Sequence, residues 1–376
     1  MKKLFSLIIC IALLLFSLTS CTEAAIGAFK ENYKDKIEEG REVLEINLYM
    51  LYDEGTVKSA YDTVQQRIES YTLTTYDTAV KVIYCSAEDY ETTVKSASNP
   101  NAGENKADIV MISSPNLFNY LYDNDRLADL TEYLASKEYG TLNKTIANAL
   151  IEASYIKTGT EEIDVTDEDG NTVKQEVDVM SCFSIPNNRV VGEYEYLLIN
   201  RAAARKYFYS DNALAEMNSL ESVAELKAKM TDNGDDPDEF IKVVKGLYGD
   251  RFTYESQGYA CNVLSVPTIN RDYALTGAFA IVNTTKDVAR AMEIIYAINT
   301  DATLHNYLQY GIAPTNYTYN AENNTAVRQK EGNSVYLINP IYAGDIFKSH
   351  LCEEFGWNAK ALEYGIIQNN EAIYVE

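Results

Sequence analysis

Between residues 43 and 113 the chain alternates strand and helix signals, and this order narrows the accessible folds more than any other feature. "VLEINLYML" (43–51) is dense in β-branched and aromatic residues and reads as a strand. In the "TVKSAYDTVQQRIESYTLT" that follows, Val57, Ala60, Tyr61, Val64 and Ile68 recur every three or four residues, the period of an amphipathic helix. "AVKVIYC" (79–85) and "ADIVMIS" (107–113) supply the second and third strands, with the helical "EDYETTVKSA" between them. A βαβαβ series of this kind predicts an α/β fold, a parallel sheet covered by helices. "NLFNYLYDNDRLADLTEYLAS" continues with a helix, a turn at Asp123-Asn124-Asp125 and a second short helix.

The start of the chain points to a compartment. Lys2 and Lys3 precede an uncharged run from Leu4 to Ser20, a basic region and apolar core of signal-peptide length. A bilayer span needs roughly 20 predominantly apolar residues, whereas this run closes on the small, polar Thr19-Ser20-Cys21. Residues 1–20 are therefore expected to be a signal peptide, and 21–41, polar and charged, a tether. Leu18-Thr19-Ser20-Cys21 resembles the lipobox of bacterial lipoproteins, in which the cysteine takes lipid on its sulfur and becomes the first mature residue. Cys21 is then a lipidation site and an anchor in the lipid bilayer, on the extracytoplasmic face of a bacterial cell membrane. Two or more acyl chains make such an anchor durable.

Charge excludes one class of partner. Removing residues 1–20 takes two lysines and no acids, so the formal charge moves from −24 to −26. Such a surface lacks the Lys and Arg clusters that nucleic acid binding requires. A 376-residue chain with 46% hydrophobic content can bury a large core and is long enough for two domains. Cys85, Cys182, Cys261 and Cys352 are scattered, with no Cys-x-x-Cys spacing, which argues against zinc or redox chemistry. They are expected as buried thiols, with two disulfides as the alternative. "EEIDVTDEDGNTVKQEVDVM" (161–180) has two alternating arms around Asp169-Gly170, a hairpin signal. Asp167, Asp169, Asn171 and Asp178 partly follow a calcium-loop pattern, but its glycine comes two residues early and the flanks are β-like, so an exposed hairpin is the expectation.

No catalytic signature emerges. His305 and His350 stand outside any His-Glu-x-x-His spacing, and Gly-x-Ser-x-Gly and phosphate-cradling glycine loops are absent. A paired-carboxylate glycosidase has no positive signal, and no cofactor or metal is expected.

The most informative stretch follows the hairpin. "IPNNRVVGEYEYLLIN" joins a Pro-Asn-Asn bend to a strand and then an Ala-rich helix. It resembles the hinge crossover of extracellular solute-binding proteins of the ABC transporter type, family 1-like and sugar-binding. "YALTGAFAIVNTTKDVARAMEIIYAINTDATLHNYLQYGI" (273–312) resembles the strand and helix by which such chains return to the first lobe, and "NSVYLINPIYAGDIFKSHLCEEFGWN" a late segment of the second. The order of these pieces over 42–358 carries the resemblance. It implies a two-lobed, periplasmic-binding-protein-like fold (type II) with hinge crossovers. The first lobe is expected over 42–192 and 270–314, and a reduced second lobe over 193–269 and 315–376. Within the second lobe "SLESVAELKAKM" reads as helix and "YACNVLSVP" as strand.

The resemblance also implies a ligand between the lobes, held by loops at strand ends. Candidates are Tyr52 and Asp53 after the first strand, Ser113, Ser114 and Asn116 after the third, and Asn187, Asn188 and Arg189 at the hinge. Tyr254 and Tyr273, with Tyr342 and Trp357, supply aromatic faces. Hydroxyls, amides and rings of this kind suit a small polar solute such as a carbohydrate. The expected function is therefore non-enzymatic: a monomer that closes on a solute and delivers it to ABC permease subunits. The alternative is a surface interaction lipoprotein that keeps the scaffold without solute transport, an idea prompted by the short second lobe.

Overall fold

The βαβαβ signal becomes a sheet in the computed structural model, which describes residues 42–166, 172–207 and 217–376. Cys21, the signal and tether segments, and the hairpin tip with Asp167, Asp169 and Asn171 lie outside the described residues. The elements of the first body begin with β1 (Leu44–Leu51), α1 (Lys58–Tyr76), β2 (Thr78–Cys85), α2 (Tyr90–Ala97), β3 (Ile109–Ile112) and α3 (Pro115–Asp123). β1 lies between β2 and β3, parallel to both, with Leu48 opposite Ile109. β1 is buried without a break from Ile46 to Met50, the polar Asn47 included, the pattern of a parallel strand inside a layered sheet. From α1, Ala60, Val64 and Ile68 enter this core, while Tyr61 packs partly buried at its edge. Burying each such aliphatic side chain stabilises the fold by roughly 1.5–3 kcal/mol.

A hairpin follows, β4 (Tyr155–Thr166) against β5 (Thr172–Cys182), rooted in the body at Ile156, Ser181 and Cys182 and with most of its other side chains exposed. It is longer than its sequence signal. Asp178 is held by Lys157 at 2.6 Å across the ribbon. β6 (Ile185–Pro186) then leads to the second body: β7 (Tyr194–Asn200), α4 (Leu220–Asp232), β8 (Ile241–Gly246), α5 (Asp250–Ser256) and β9 (Tyr259–Ser265). β7 is the centre of a three-stranded antiparallel sheet, ordered β8-β7-β9. Its alternation feeds two cores. Leu197 and Ile199 pack with Val223, Leu226 and Met230 of α4, whereas Tyr194, Tyr196 and Leu198 face Tyr248, Tyr254 and Tyr259.

β10 (Thr268–Ile269) brings the chain back to β11 (Ala278–Ile281), which inserts antiparallel between β3 and β6. The large sheet therefore reads β2-β1-β3-β11-β6 and unites two distant parts of the chain. The helical run that follows is two helices, α6 (Val288–Thr300) and α7 (Ala302–Tyr310). Asp301 divides them by accepting the Thr303 and Leu304 N–H groups as an N-cap, and its other oxygen accepts the Tyr71 and Tyr76 hydroxyls at 2.7 and 2.6 Å. A small hairpin of β12 (Tyr317–Asn320) and β13 (Thr325–Arg328) precedes a loop, then α8 (Ala359–Glu371) and β14 (Ile373–Tyr374). The stretch 335–343, which the sequence groups with the second lobe, packs against the first body. Tyr336, Ile338 and Ala343 belong to its core, and the Asp53 and Val57 N–H groups donate to Leu337 and Val335.

The four cysteines are free thiols, three of them buried and Cys261 half-buried. Among the described residues no helix is long and apolar enough to cross a membrane, and no group of His, Cys, Asp and Glu is placed to hold a metal ion.

Candidate binding cleft

The two bodies are joined where 187–193 passes outward and 266–270 passes back. Gly192 lies between the two passages at φ +60°, and a Cβ there would meet Pro267 Cβ at 2.9 Å and Thr268 O at 3.0 Å. α8 locks the outward passage from the side. Asn369 accepts the Val191 N–H at 3.0 Å and donates to Arg189 O at 2.7 Å, while Gln368 donates to Val191 O and Gly192 O. Gln368 also accepts the Tyr248 N–H from the second body, and β14 pairs in parallel with β10. Buried amides on α8 thus satisfy backbone groups that no sheet reaches, as burial demands.

Beside this junction is a cleft of about 840 Å³. Its walls come from both bodies: Tyr273, Thr276 and Asn339–Ile341 from the first, Leu247–Asp250 from the second, and α8 with the Phe355–Asn358 turn along the side. Five aromatic residues, Tyr248, Tyr273, Phe355, Trp357 and Tyr364, line it. Trp357 sits 4.8 Å from Phe355, and Tyr364 contacts Tyr248 at 5.4 Å and Phe252 at 5.1 Å. Lys360 lies over Tyr364 at 5.2 Å. Arg189 stacks on Tyr273 at 4.5 Å, fixed by donation from Nη1 to Asn187 O and from Nη2 to Tyr273 O. Apolar ring faces with a few fixed polar groups form a surface suited to a small amphipathic ligand.

Of the sequence candidates, Arg189, Tyr273 and Trp357 line the cleft. Tyr342 and Asp53 stand behind them as a charge-linked pair. Burial raises the Asp53 carboxyl, opposed by Arg328 and the Asn339 backbone, and burial raises the Tyr342 phenol, with Asp53 adding and Arg189 opposing. Asn187 adjoins the cleft through donation to Ile341 O, and its own Oδ1 is buried without a partner. Tyr52 is set apart, stacked on Tyr61 at 5.4 Å. Asn188 is tied up inside, accepting the Ala147 N–H and donating to Thr145 O and Asp345. Ser114 caps α3, both Ser113 and Ser114 donate to Glu91, and Asn116 is exposed; none of the three lines the cleft. Tyr254 packs edge-on against Tyr196.

Sequence reasoning missed Tyr248, Tyr364, Phe355, Asn339 and Gln368. Two signals were present: the aromatic Phe355-Gly356-Trp357 turn, and the amide run Gln368-Asn369-Asn370, of which the fold buries Gln368 and Asn369.

No protein-family model and no curated protein matches the chain. Among solved structures it is similar to the N-glycan transport solute binding protein (NgtS) from Streptococcus pneumoniae, with TM-score 0.52, 14% identity, and 88% of this chain and 83% of that one covered. The same protein in complex with Man5GlcNAc gives a TM-score of 0.51 at 14% identity, covering 88% and 83%. Its complex with Man1GlcNAc gives 0.50 at 15%, covering 88% and 84%. The chain has the two-lobed α/β fold of periplasmic-binding-protein-like structures.

Proposed function

We propose that this chain is an extracytoplasmic solute receptor that closes its two lobes on an oligosaccharide or similar small polar solute and presents it to ABC permease subunits. One observation carries the reading: an aromatic-walled cleft of about 840 Å³ lies where both bodies meet beside their paired crossovers. Ring faces at Trp357, Tyr364 and Tyr248 offer stacking surfaces to pyranose rings, while Arg189, Asn339 and Asn358 offer hydrogen bonds. The NgtS complexes with mannose-containing glycans support a carbohydrate as the solute class. The lobes divide at the crossovers, 42–192 and 270–314 against 193–269, and the packing of 335–343 favours assigning that stretch to the larger lobe. The lipobox-like Leu18–Cys21 supports tethering through acylated Cys21. The receptor acts without turnover.

Trp357 is the chain's single tryptophan, so intrinsic emission reports on the cleft. Titrating the purified chain with oligosaccharides, amino acids and peptides is expected to give a saturable change with a sugar, together with a raised melting temperature. A flat response to every solute in both measurements overturns the reading in favour of a surface interaction lipoprotein.

A further inference from the structure

We infer that Arg189 makes the cleft selective for oligosaccharides that carry a carboxylate, the uronic-acid class. The inference rests on the solute-receptor reading and adds the charge of the solute. Three arginines are buried to a similar degree among the described residues: Arg189 at 6%, Arg290 at 9% and Arg328 at 8% exposure. Two of them have acidic partners. Arg290 pairs with Glu293 at 3.4 Å, and Arg328 with Glu354 at 2.6 Å. Arg189 makes its hydrogen bonds to neutral carbonyls, those of Asn187 and Tyr273, and no carboxylate of the described residues lies within 4.0 Å of it.

A buried guanidinium without a counter-ion is costly, and it is conspicuous in a chain with 56 acids against 32 bases. The nearby acids are otherwise engaged. Asp250 accepts the Leu247 N–H at 2.7 Å. Asp53, beyond Tyr342, answers electrostatically to Arg328. Two of the five N–H donors of Arg189 are used by the carbonyls, and the stack on Tyr273 holds the planar fork in place at the cleft wall. A carboxylate matches that fork with two parallel hydrogen bonds, while the sugar ring that bears it lies against the neighbouring aromatic faces.

The test uses gluco-, galacto- and xylo-configured oligosaccharides, each with and without a terminal uronic acid, titrated against Trp357 emission of the full chain. Acid members are expected to bind about 10- to 100-fold more tightly than their neutral partners. That advantage should shrink as salt rises, and Arg189→Gln should abolish it. Neutral members binding as well as the acid ones overturn the inference and leave the receptor reading standing. Silence from every member overturns the receptor reading itself. The wild-type ratio and its salt dependence need no variant, so a misfolded Arg189→Gln leaves the test intact.

Discussion

Replacing Asn369 by alanine measures how firmly α8 holds the junction between the bodies. Asn369 is 6% exposed, and its amide serves two backbone groups of the outward passage, the Val191 N–H at 3.0 Å and the Arg189 carbonyl at 2.7 Å. Alanine orphans both in a site without solvent. An unsatisfied buried polar group costs about 1–3 kcal/mol, so the two together predict a loss of roughly 2–6 kcal/mol. Asparagine is also a poorer helix former than alanine, which offsets about 0.5 kcal/mol of that loss. The neighbouring Asn370, exposed on the same helix, supplies the control, because Asn370→Ala makes the same propensity gain and orphans nothing. Urea unfolding followed by far-UV circular dichroism and Trp357 emission gives the comparison, two probes being needed because two bodies can unfold separately. The argument fails if Asn369→Ala and Asn370→Ala unfold within about 0.5 kcal/mol of each other.

Gly192→Ala should destabilise by about 2–4 kcal/mol, since the left-handed backbone and the 2.9 Å approach to Pro267 both oppose a Cβ; an unchanged urea midpoint would show that the passages are not in contact. Asp345 supplies a pH signature. Burial pushes its carboxyl up to about 6, opposed by the Phe347 N–H and the Asn188 side chain. Between about pH 4 and 6 the folded protein keeps a proton that the unfolded chain has released, so this group's contribution is full below that window and is lost as pH rises through it. Asp345→Asn should remove the trend, and its stability relative to wild type should climb by up to about 3 kcal/mol from pH 4 to 7; a difference that stays constant with pH would refute the assignment.

The parallel strands were legible because burial on both faces leaves them dense in β-branched, aromatic and other apolar residues, broken in β1 by Glu45 and Asn47 and in β2 by Lys81 and unbroken in β3, and the helix period of α1 is visible in Ala60, Val64 and Ile68. The split of 288–310 was not, because Asp301 breaks the helix to serve two tyrosine hydroxyls more than 200 residues away. The candidate site divided along the same line. Arg189 was named at the expected hinge and Tyr273 and Trp357 as aromatic faces, and all three line the cleft, yet Asn188, named at the same hinge, is consumed by Ala147, Thr145 and Asp345.

Local periodicity and apolar patterning, which depend on neighbours in the chain, were enough to determine the α/β class, whereas the crossovers were expected only from the family resemblance. Which polar side chains remain free to meet a ligand depends on partners contributed by distant segments. Only the folded arrangement of α8 against 187–193, and of 335–343 against the large sheet, decided that. The physical reason is that a buried hydrogen-bonding group takes whichever partner the tertiary packing brings, and sequence spacing carries no record of that choice.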